Sequence, residues 1–154
     1  MLELSKLEFL LGRWEGSSVD QFGEKGTIVS TLECTHEPSE LFLQLSGENR
    51  KNGKLVNRAV QFLTFDSRIK KYIYKRMWSM GFIENGVGQW EDDDTLMFEI
   101  EFDNEPEFFL GMRWKSFIRC YGQNEIGHGL YCANKGEEYR LYGETHEFRA
   151  KSRD

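Results

Sequence analysis

The stretch Ser5-Lys-Leu-Glu-Phe-Leu-Leu-Gly-Arg-Trp-Glu-Gly16 decides how the rest of the chain is read. Ser5 and Glu8 have the spacing of a capping box, and Leu4 and Phe9 that of a hydrophobic staple, so the spacing predicts a short helix closed by Gly12. Leu7, Leu10 and Leu11 give this helix an apolar side. A helix this short is not stable alone, so it must lie against an apolar surface. Trp14 then opens a strand, and nearly everything after it alternates with a period of two.

Working outward, strand candidates run from Arg13 to Gln21, Gly26 to Thr35, and through Leu41, Leu43 and Leu45. Next come Val56 to Phe65, Lys71 to Ser79, and Gly81 to Trp90, the last broken at Asn85-Gly86. Thr95 to Phe102, Phe108 to Tyr121, Glu125 to Ala133 and Glu138 to Lys151 complete the set. Turn signals fall between them at Gly23–Gly26, Asn52-Gly53, Asp66-Ser67-Arg68 and Glu91–Asp94; Asn-Gly is the strongest short hairpin signal. Leu96, Phe98, Ile100 and Phe102 alternate with Met97, Glu99 and Glu101, as in an antiparallel strand with one face in water.

Roughly ten sequential strands with hairpin-length connections predict an all-β fold. The expected form is a closed antiparallel up-and-down β-barrel capped by a short N-terminal helix. A two-sheet sandwich is the alternative. At 154 residues, without linker or repeat, residues 1–154 are expected to form one domain. Fifteen glycines against two prolines suit paired strands with tight bends, and the 14% aromatic content supplies a core.

A net charge of −6 lacks the basic footprint of a nucleic-acid binder and disfavours anionic membrane surfaces. Three sparse cysteines, Cys34, Cys120 and Cys132, with no CxxC, fit free thiols in a reducing compartment. With no apolar run long enough to span a bilayer and no signal-peptide pattern, the expectation is a cytoplasmic protein. A homodimer is compatible with the sequence.

The helix, Gly12-x-Trp14, the hairpin meander and a last strand ending in Phe148-Arg149 together resemble the calycin superfamily of lipocalins, fatty-acid-binding proteins and nitrobindin-like haem barrels. The chain is more closely similar to bacterial lipocalin-like domains that begin LLGxWxG. It shares with them Phe65-Asp66, Tyr72, Trp78 and Ser79-Met80-Gly81 within Val60–Gly81. The resemblance implies a barrel plugged by Trp14, with Arg149, or Lys151 in its stead, over the indole as a cation–π partner. It also implies, as the nitrobindin alternative, haem ligated by a histidine of the final strand. His146 is the histidine there, but alignment on Phe148 sets it one residue out of phase, and such a slip exchanges inside for outside.

No metal-ligand spacing, G-x-S-x-G elbow or phosphate loop is present. The informative pattern is aromatic plus basic: Tyr72, Tyr74, Arg76 and Trp78 share one strand face, Arg113 adjoins Trp114, and Arg140 shares a face with Tyr142 and His146. The expected function is non-catalytic binding of a small, mostly apolar, fatty-acid-like ligand, with no cofactor. Phe62, Trp78, Phe98, Ile100, Trp114 and Tyr142 would line its site, and Arg76, Arg113 or Arg140 would anchor a carboxylate. Were the cavity a reaction chamber instead, Glu33, Glu144 and His146 are the imaginable bases. A barrel filled solid by its aromatics is the remaining alternative.

Overall fold

The computed structural model describes residues 2–19, 27–37 and 40–151. Ten antiparallel strands close into a barrel in simple sequential order, the first pairing with the last. They are β1 (Gly12–Val19), β2 (Thr27–His36), β3 (Leu43–Lys51), β4 (Lys54–Asp66) and β5 (Lys71–Trp78). β6 (Ile83–Trp90), β7 (Thr95–Phe102), β8 (Met112–Gly122), β9 (Glu125–Asn134) and β10 (Arg140–Arg149) follow. No helix among the described residues is long and apolar enough to cross a membrane.

Several local expectations are corrected. The N-terminal segment is a single α-turn, Leu2–Ser5, followed by one 3-10 turn, Glu8–Leu10. Ser5 ends the first piece instead of capping a helix, and the second has no side-chain cap. Packing overrides the capping signal, because Leu4, Leu7 and Leu10 are all buried against the barrel base. β6 runs unbroken through Asn85-Gly86. The expected Gly23–Gly26 turn lies outside the described residues. Asn52 and Gly53 both have positive φ (52° and 76°), the type I′ geometry that joins β3 to β4.

The register fixes which residues face inward. One row across the wall is Trp14, Leu32, Gly47, Ala59 and Trp78. The row above is Glu147, Gly16, Ser30, Asn49 and Asn57. Two packed clusters fill the ends. At the base, Leu7 and Leu10 of the N-terminal turns pack with Trp14, Leu43, Leu63, Tyr72 and Leu96. At the opposite end, Phe82, Phe109 and Trp114 pack with Trp78, Phe102 and Tyr142, Phe109 coming from a 3-10 turn, Glu107–Phe109.

Trp14 is 1% exposed, and its indole Nε1 donates to Leu10 O at 2.8 Å. The Arg149 guanidinium stands 4.3 Å from the centre of that indole. Its nitrogens donate to the carbonyls of Leu11, Phe9 and Gln123, joining the N-terminal turns to the last strand. Lys151 is exposed. The closing ladder is short: β1 meets β10 only from Trp14 to Ser17, opposite Arg149 to His146. Among the described residues, β10 from Arg140 to Thr145 is therefore paired with β9 alone.

Candidate functional site

Between the two packed ends lies a chamber of about 90 Å³. Its existence follows from small residues at inward positions. Gly47 and Ala59 are cross-strand partners, each flanked by a large residue in the same row. Gly16 is a different case: a Cβ there would stand 2.1 Å from His146 O and 2.8 Å from Glu147 Cγ, so the close approach of β10 requires the glycine. Leu10, Leu32, Leu45, Ala59, Trp78, Ile118 and Ile126 supply the larger, apolar part of the lining, and Ser30, Asn49, Asn57, Gln61, His128 and Glu147 are among its polar groups.

One polar wall is built on β4, β5 and β6. Gln61, Arg76 and Glu84 are successive cross-strand partners. Arg76 Nε and Nη2 donate to Gln61 Oε1 at 3.1 and 2.6 Å, and Nη1 donates to Glu84 Oε2 at 3.2 Å. The guanidinium also lies over Tyr74 and Trp78, at 5.1 and 5.5 Å from their ring centres. Glu84 is 3% exposed and accepts further bonds from Tyr74 Oη and Trp78 Nε1. Burial, reinforced by the Glu84 carboxylate, raises the Tyr74 hydroxyl well above the ordinary tyrosine range.

The facing wall belongs to β9 and β10. Glu147 is 1% exposed, and its Oε1 lies 2.8 Å from His128 Nε2. His128 faces inward opposite Ile118 and Thr145, yet its side chain keeps 35% of its exposure. Asn49 Nδ2 donates to Asn57 Oδ1 at 2.8 Å across the adjoining strands.

Among the described residues, four buried side-chain polar atoms have no protein partner: Ser30 Oγ, Gln61 Nε2, Glu147 Oε2 and Trp114 Nε1. The first three belong to residues that line the chamber. Buried polar groups are nearly always paired, and each left unpaired costs about 1–3 kcal/mol. Their concentration on one chamber marks it as the candidate site.

Of the nine residues expected to hold a ligand, Arg76 and Trp78 line this chamber. Phe98, Ile100, Trp114 and Tyr142 are interior but belong to packed clusters; Phe98 is fully buried, edge-on to Tyr74. Phe62 pairs with Gln44 and Lys75 on the outer phase of β4, so the interior position expected for it is corrected. Arg113 is likewise on the outside, 4.8 Å from the centre of the Tyr139 ring, with Nη2 donating to Glu137 O. Arg140 is exposed at the strand end, 3.9 Å from Glu137. The shared face expected for Arg140, Tyr142 and His146 is broken by a bulge between Leu141 and Gly143, which leaves Tyr142 against Trp114.

His146 does not fit the haem role. It lies on the outer phase of β10, with Nδ1 3.3 Å from Glu125 and Nε2 3.2 Å from Glu144, its ring stacked on Tyr121. Glu144 and Glu33 are outward too, paired with Arg119 and Arg13, so none of the three imagined bases faces the chamber. Cys34, Cys120 and Cys132 are free thiols, and burial pushes that of Cys34 up to about 12.

Neither a protein-family model nor a curated protein matches the sequence. Among solved structures, the crystal structure of Rv2717c from M. tuberculosis superposes with a TM-score of 0.71. That match covers 96% of this chain and 97% of that one at 17% identity, a likeness of fold. The structure of EF1p2_mFAP2b bound to DFHBI covers 95% and 97% at 12% identity, but its TM-score of 0.36 is too low to carry an argument.

Proposed function

We propose that this barrel is a non-catalytic binder of a small organic molecule held in its interior chamber. The observation that carries the reading is the chamber itself, where three buried side-chain polar atoms lack protein partners. A cavity of about 150 Å³ lined by apolar residues takes up benzene. By that measure 90 Å³ encloses roughly four heavy atoms, and because the chamber opens to solvent a ligand of about half a dozen can project from it. A long-chain fatty acid is too large to be enclosed. The carboxylate anchor such an acid needs is also absent, since Arg76 is already engaged by Gln61 and Glu84. The ligand is therefore smaller than the fatty-acid-like one expected from sequence, and carries polar groups beside its apolar part. Its hydrocarbon part would rest on Leu32, Leu45 and Ile118, and its polar part on the β4–β5 or β9–β10 wall.

Filling the chamber tests this. Ala59→Leu is expected to abolish retention of small fragments screened by NMR while preserving the barrel's amide dispersion. A wild-type protein in which no fragment perturbs resonances of Gly47, Ala59 or Ile118 would refute the reading.

A further inference from the structure

The two polar walls of the chamber differ in what they lack. Gln61 is 4% exposed; its carbonyl oxygen is taken up by Arg76, and its Nε2 has nothing to donate to. Glu147 is 1% exposed; one oxygen is on His128, and the other has nothing to accept from. One wall therefore needs an acceptor and the other a donor. Ser30, 2% exposed and also unpartnered, lies in the same cross-strand row as Glu147, separated from it only by Gly16.

Charge separates the candidate ligands further. Among the described chamber-wall groups, Glu48, Glu84 and Glu147 are carboxylates; Glu48 is paired with Arg50, and Arg76, the permanent cation of the wall, with Glu84. His128 offsets Glu147 only when protonated. A carboxylate entering this space would add to an excess of negative charge. A cation would reduce it and meet a buried acceptor, and charge-assisted bonds of this kind are the strong ones.

We infer that the chamber takes a small organic amine that also carries an oxygen acceptor, its ammonium N–H on Glu147 and its oxygen on Gln61 Nε2. This rests on the chamber-binding reading above and specifies the ligand's chemistry. The hydrocarbon between the two groups would lie against Leu32, Leu45 and Ile118, and the neighbouring hydroxyl of Ser30 can share the amine.

Three probes of equal size test it: 3-methoxypropylamine, pentylamine and butyrate, titrated into the intact protein at neutral pH and followed by NMR shifts of chamber residues. The expected order is methoxypropylamine, then pentylamine, then butyrate, with at least tenfold between the first and the last. Glu147→Gln should cost both amines about tenfold and leave butyrate no weaker. If that variant does not fold, Gln61→Leu decides: it should remove the advantage of methoxypropylamine over pentylamine. Butyrate binding as tightly as the amines overturns the amine assignment but leaves the chamber reading intact. Amine affinity unchanged in Glu147→Gln, or an ether preference that survives Gln61→Leu, also overturns it. Binding of none of the three, while other fragments do enter, refutes this inference alone; exclusion of every fragment removes both readings.

Discussion

At the scale of single residues, the side chain joining most of the structure is Arg149. It is exposed, yet it combines a cation–π contact to a buried indole with bonds to three backbone carbonyls from two separate segments. Cation–π contacts contribute about 0.5–1 kcal/mol at exposed sites, and a hydrogen bond from a charged group adds about as much again or more. Arg149→Ala is therefore expected to destabilise the protein by about 1–2 kcal/mol. For a chain of this size that is a fall in Tm of roughly 3–8 °C by circular dichroism. Arg149→Lys keeps the charge but not the planar fork, and should fall between the two. An unchanged Tm for both variants would show the contact to be ornamental.

At the scale of elements, β5 and β6 show how a glycine makes room for a polar network. Tyr74 lies across from Gly86, where an added Cβ would sit 2.2 Å from the ring. Gly86→Ala is expected to push Tyr74 off Glu84 and Ser116 and to cost about 1–3 kcal/mol as overpacking. Urea denaturation measures that loss, and a wild-type midpoint would mean that the ring moves freely. The strands themselves were legible because Thr95–Phe102 and Lys71–Trp78 each keep one phase throughout, so the face shared by Tyr72, Tyr74, Arg76 and Trp78 is real. The chamber was less so. Gln61, Ser30, Asn49, Asn57 and Glu147 are polar residues on the inward phase, where alternation alone assigns polar side chains to water. The Asn52-Gly53 turn misleads here: extended from Lys51 opposite Lys54, its register sets Asn49 opposite Val56 and Leu45 opposite Val60, and a bulge between Asn49 and Arg50 shifts the pairing to Asn57 and Gln61. Tyr142 was placed with His146 because a bulge leaves no mark in the period.

At the scale of the whole molecule, topology sets the folding behaviour. Nine of the ten ladders join neighbours in sequence; the tenth joins Trp14–Ser17 to His146–Arg149 and spans nearly the whole chain. Loop closure over that distance is costly, and β-rich domains with distant pairings fold in milliseconds to seconds. Closure is therefore expected to come late. In stopped-flow refolding, protection of the β1 amides by pulsed hydrogen exchange should lag that of β8 and β9; simultaneous protection would contradict this order.

The same short ladder has a mechanical meaning. Residues 12 and 149 emerge side by side at one rim, so tension drawn between them would load the hydrogen bonds one after another and not all together. The hoop would unzip from its base, and Arg149 would be the first rivet to give. A display format that tethers both ends would strain this cylinder at its weakest stave, whereas anchoring at the Asn52-Gly53 tip would leave it whole.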